Sequence, residues 1–372
     1  MFATHRDQAA LVNKSEDRCE RPKYKHSWTI ASLDNTASGA PAMIQFLADH
    51  VDQLDLALDQ LAMRDRNFSR FALMLIDNVV ELTLHQYAQD KSHENDFSGR
   101  NEPPWNDPKA VAAALGPHFD SKVRLARNTG MLSVELSETI LHLHTFRNTA
   151  YHRGLRQEGI LHSLALFYFR SACDVLANYS PMGWSSSSRD QIPHRATKYL
   201  GKPNCLDGEK AFKAAWARLR QVTESMGNTL VSDLHNEMRK TIESVNDQIQ
   251  FLADESPDKK TRKQVIIDCQ AWPFAFSDDG KAYAATNNCP QLSVGGYVDW
   301  LALNYQWPTS NDPIPSWRKR LGSLASEGNA HRALKKYCEF INQTEDLRAL
   351  IDESAAQLDA HIQHLIDVAR GK

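Results

Sequence analysis

The segment His142 to Gly154, HLHTFRNTAYHRG, gathers Arg, Asn and His near the end of a predicted helix. Arginine is a permanently charged, forked phosphate ligand, histidine takes or gives a proton near neutral pH, and asparagine can hold either in place. That set suits phosphodiester chemistry without a metal. Successive helical residues are turned by about 100°, so Asn148 and His152 share one face, with His144 on the same stripe and Arg147 on the adjacent flank. Arg147 and His152, five apart, diverge by roughly 140°. One helix alone does not converge both groups on one atom, whereas a second copy facing it across a dimer axis would complete the set.

Four pairs in the chain have the Arg-to-His spacing: Arg21/His26, Arg147/His152, Arg156/His162 and Arg189/His194. Only Arg147 is followed directly by Asn and lies in a helix, and its segment closes as His-x-Gly. With these features the stretch from about 66 to 180 resembles the HEPN domain family (higher eukaryotes and prokaryotes nucleotide-binding). These are small helical bundles marked by Arg, four to six residues, then His. An early helix of such bundles often reads like DNVVELTL, which stands here at Asp77 to Leu84.

The resemblance implies a metal-independent endoribonuclease that works as a homodimer on RNA, with no cofactor. His152 would move the proton of the ribose 2′-hydroxyl or of the leaving oxygen, Arg147 would offset charge on the phosphorane, and Asn148 would orient the pair. The product would carry a 2′,3′-cyclic phosphate. Glu81, His144 and Tyr151 are further candidates for the site. A toxin or antiviral (anti-phage) role, with an antitoxin or defence-system partner protein, follows from the resemblance alone. In one toxin subgroup the motif continues His-x-Tyr, whereas here Arg153 and Gly154 follow His152 and Tyr151 precedes it. The alternatives are a HEPN scaffold that only dimerises and binds nucleotide or protein, and a solvated helix end whose cations favour the helix dipole.

The elements that must position these residues read as mainly α-helical. Residues 1–40 form an arm without period, and residues 41–180 form a HEPN-like helical bundle. Ile44, Leu47, Val51, Leu54, Leu58 and Leu61 make one amphipathic helix, and a second runs from about Asn67 to Gln89, interrupted by Asp77, Asn78 and Glu81. Short helices follow at 109–115 and 119–128, then a helix capped by Ser133 that stops at Gly154, then one at 158–178. The Pro, Gly and Ser of 181–207 predict a linker, leaving 208–372 as a second, mostly helical domain. There VIIDC, WPFAFS and KAYAAT, around Asp279-Gly280, predict short strands with one β-hairpin. Helices are expected again at 297–305, 329–342 and 344–369.

At 372 residues, 42% hydrophobic and 24% charged, the composition excludes fibrous, disordered and disulfide-stapled classes. Six cysteines without a CxxC pair and no apolar segment of about 20 residues predict a cytoplasmic protein that does not span a membrane. The net charge of -3 leaves nucleic-acid binding to local patches: KKTRK at 259–263, and Trp317, Arg318, Lys319 and Arg320, where the tryptophan would stack on a base. His361 and His364 lack the third ligand that a metal site needs, so no metal is expected. No phosphate loop, GxGxxG, GxSxG or HExxH spacing supports an ATPase, a Rossmann enzyme, an α/β hydrolase or a zinc protease.

Overall fold

A computed structural model describes residues 42–97, 103–152, 158–201 and 207–371. Within them the chain forms fourteen α-helices and no β-strand. The N-terminal arm lies outside the described residues, as do Arg153, Gly154 and Arg156.

Helix α1 (Met43–Ala62) buries Ile44, Leu47, Val51, Leu54, Leu58 and Leu61, the stripe that the sequence predicts. It turns back through Arg64, at φ 51, into α2 (Arg66–Asp96), and Asp65 caps α2 by accepting from the amides of Asn67 and Phe68 at 2.8 and 3.4 Å. Helices α3 (Pro108–Leu115) and α4 (Phe119–Asn128) pack over α2. The predicted Ser133 cap is present: its Oγ accepts from the Leu136 amide at 3.1 Å and opens α5 (Val134–His152). A short 3₁₀ turn, Glu158–Ile160, leads into α6 (Leu161–Asn178), which buries thirteen of its residues and lies along α2. Helices α2, α4 and α6 thus pack against α5, which carries the Arg-Asn-His segment.

The expected linker at 181–207 contains a further helix, α7 (His194–Leu200), fastened to α1. The buried Asp55 carboxylate accepts from Arg195 at 2.9 Å, Lys198 at 2.8 Å and Tyr199 at 2.7 Å. Trp184 stacks on Phe212 of α8 (Gly208–Ser225), and a single apolar core continues from Ile44 to Ala355. Residues 42–372 therefore fall in one unit, and the described part of the Pro- and Ser-rich stretch packs within it through Trp184 and α7.

Helix α9 (Leu230–Glu255) is separated from α8 at Gly227, whose φ of 110 suits glycine. The β-hairpin is a correction: its residues form α10 (Arg262–Phe276) and α11 (Asp278–Thr286). Thr261 and Gln264 close a capping box, Val265, Ile266, Cys269 and Ala275 bury one helical face, and Ser277 caps α11. Asp279-Gly280 sits in the first turn of α11, where acidic side chains suit the helix dipole, and makes no hairpin turn. Helices α10, α11 and α12 (Val294–Asn304) share a small aromatic cluster of Phe274, Tyr283, Trp300, Tyr305 and Trp307.

Helix α13 (Ile314–Ala325) precedes α14 (Ala330–Ala369), one helix of 40 residues where two are expected. Thr344, at the expected break, is buried with its hydroxyl donating to the Phe340 carbonyl at 2.7 Å, and the helix runs on through it. Glu237 lies near Tyr337, and Gln248 bonds Asp352 at 2.7 Å, so α9 and α14 run side by side in the same direction. Beyond Ala355 no residue of α14 is buried, although Leu358, Ile362 and Leu365 continue its apolar stripe. No described helix is long and apolar enough to cross a membrane.

Candidate functional site

Leu73, Ile76, Val80 and Leu84 give α2 an apolar face that enters the core, and Asp77 stands inside that face with no exposed surface. A buried carboxylate is tolerated only where donors meet it. Three do. Its Oδ1 accepts from the Tyr168 hydroxyl of α6 at 2.6 Å and from His144 Nδ1 of α5 at 2.9 Å. Its Oδ2 lies 3.1 Å from Arg147 Nε, an ion pair whose angle is too bent for a hydrogen bond. Because an ionised carboxylate only accepts, it assigns the proton of His144 to Nδ1. Burial, with the charge and hydrogen bond of Asp77 beside it, pushes the Tyr168 phenol well above its ordinary value, so this hydroxyl remains a donor.

The other sides of the cluster are equally defined. His144 lies flat on Phe119 of α4, with ring centres 3.9 Å apart and planes 8° from parallel. Arg147 Nη1 donates to Asn148 Oδ1 at 2.8 Å, and the arginine side chain keeps 30% of its surface exposed. Asn148 thus holds one end of the guanidinium. One and two turns beyond Asp77, α2 carries Glu81 and His85. Glu81 is half-buried, and its charge reaches Tyr168 and Lys122 of α4; among the described residues no hydrogen bond joins it to Arg147. Burial lowers the Lys122 ammonium, and its Nζ donates to the Gly116 carbonyl at 2.6 Å. Burial and then Lys122 lower His85 in turn. The whole forms a polar seam between α2, α4 and α5.

His152 and Tyr151 close α5, and their side chains lie outside the described residues. The structure brings together Arg147, Asn148 and His144, with Glu81 nearby. Asp77, Tyr168 and Phe119 complete the arrangement and were not foreseen as site residues; the available signal was an Asp at an apolar position of α2.

In the basic patch at 317–320 the stacking expected of Trp317 is corrected. Trp317 is 5% exposed and meets Phe340 edge-on at 5.5 Å, so it offers no face to a base. Arg318 and Lys319 are exposed, while Arg320 sits over the Phe340 ring at 5.3 Å. In the other predicted cluster, at 259–263, Lys260 pairs with Asp268 and Arg262 with Asp312. His361 and His364 are exposed on α14, and no group of three or more metal-ligating side chains occurs among the described residues.

Comparison of the chain with protein-family models, with curated proteins and with solved structures finds no match.

Proposed function

We propose that the chain is a HEPN-type endoribonuclease that cleaves RNA without a metal, as a homodimer, in a toxin or antiviral defence role. One observation carries this reading: an arginine, part exposed, is fixed from behind by a fully buried carboxylate and from the side by the next residue's amide. Such a guanidinium is set before substrate arrives, and preorganised charge is what stabilises a pentacoordinate phosphorane. His152, on the same helix, supplies proton transfer. Attack of the 2′-oxygen on phosphorus and departure of the 5′-oxygen leave a 2′,3′-cyclic phosphate and a 5′-hydroxyl.

A second reading, a HEPN scaffold that binds nucleotide or protein, draws on the same geometry, because Asp77 and Asn148 already meet the charge of Arg147 within the chain. Incubation with mixed RNAs in EDTA separates the two. The enzyme reading expects cleavage products ending in cyclic phosphate, with a loss of about 10²–10³-fold in Arg147→Ala. Intact RNA across the pH range, from protein that is folded and binds nucleotide, supports the scaffold.

A further inference from the structure

We propose that His144 is a second catalytic imidazole, the general base for the ribose 2′-hydroxyl, acting in addition to His152; this rests on the ribonuclease reading above. The geometry behind it is the pairing of His144 and Arg147 on a single carboxylate. Residues three apart on a helix are neighbours, and these two contact the two oxygens of Asp77, at 2.9 and 3.1 Å. They leave that carboxylate side by side, whereas positions 147 and 152 diverge by roughly 140°.

The imidazole is also prepared for the task. His144 donates its Nδ1–H to Asp77, so the neutral ring carries its lone pair on Nε2. That nitrogen has no hydrogen-bond partner among the described residues, and it is not one of the buried, unpartnered atoms. Phe119 fixes the plane of the ring from one side and Asp77 fixes its rotation. The arrangement repeats the logic of a carboxylate that orients a histidine and offsets the positive charge it acquires. Tyr168 holds the same carboxylate oxygen at 2.6 Å, so the orienting group is itself immobile.

The step balances as follows. Nε2 of His144 takes the proton of the 2′-hydroxyl, the freed electron pair forms the 2′-oxygen to phosphorus bond, and the phosphorus to 5′-oxygen bond breaks. The leaving oxygen takes a proton from the His152 imidazolium. Arg147 carries the extra negative charge of the phosphorane. After product leaves, His144 returns its proton to water and His152 takes one back. Base and phosphate ligand then come from one protomer.

The test uses the full chain and two variants, His144→Gln and His144→Ala, with thermal melting recorded for each. Glutamine keeps a donor to Asp77 but has no basic nitrogen; alanine leaves a slot between Phe119 and Asp77 that imidazole fits. Cleavage of RNA in EDTA is expected to fall by about 10²–10⁴-fold in both variants. Added imidazole is expected to restore activity to His144→Ala alone, a readout that a purely structural role does not give. Undiminished cleavage by His144→Gln, with His152→Asn inactive, overturns the assignment and leaves the ribonuclease reading standing. Loss of activity without imidazole rescue also overturns it. If the wild-type protein leaves every RNA intact, both fall together.

Discussion

Asp77 shows how much a single side chain organises here: one carboxylate on α2 meets a phenol 91 residues away and an imidazole 67 residues away. Another buried group, His50 on α1, is nearly the opposite case. It packs against Phe46 with ring centres 4.3 Å apart, and its Nε2 is buried without a partner. Burial, opposed only by a hydrogen bond with the Phe46 backbone, pushes its pKa down to about 3. The unfolded chain protonates this residue near pH ~6.5, and the folded chain does so only near the lower value. Between the two the unfolded state binds more protons, so stability falls with acidification, by up to about 1.4 kcal/mol per pH unit for this group. Denaturant titrations of the parent and of His50→Leu at several pH values check it. The variant is expected to lose less stability below pH ~6.5, and an equally steep loss in both would remove His50 from the account.

Among the elements, those with a long apolar stripe were legible in the sequence. The buried positions of α1 match its expected stripe, and Ser133 caps α5 as predicted. The β-hairpin was misread because Val265, Ile266, Ile267 and Asp279-Gly280 are strand and turn residues locally, while the Thr261/Gln264 capping box decides for a helix. The same corner yields a prediction. A Cβ placed on Gly280 would lie 1.9 Å from the Phe274 carbonyl oxygen, so the first turn of α11 is pressed against the end of α10 by virtue of a missing side chain. Gly280→Ala is expected to cost about 1–3 kcal/mol and to perturb the fluorescence of Trp300 and Trp307 in the adjoining cluster. A variant that melts with the parent would show that the two helices are not in this contact. In the site itself, Arg147 and Asn148 were legible from residue type and spacing. The inward aim of Asp77 and the burial of Trp317 were not, since both depend on helices distant in sequence.

For the whole molecule, the sequence suggests a division near 205, because Pro, Gly and Ser cluster there. The structure instead packs Trp184 on Phe212 and joins both sides in one core. Cooperativity follows the packing. Calorimetry is expected to give one main transition for residues 42–371, and two resolved transitions of comparable size would restore the division. Against this unity stands the end of α14. Tertiary contacts bury its face as far as Ala355 and hold Leu358 against the core, and the following three turns or so have no buried residue. A helical segment that short is marginal in water without such contacts. Amide hydrogens are therefore expected to exchange slowly around Tyr337 and Phe340 and rapidly from about residue 359 onward. Judged by geometry α14 is one helix, but in the time its amides take to exchange it is two, and the apolar residues Ile362 and Leu365 belong to the part that opens.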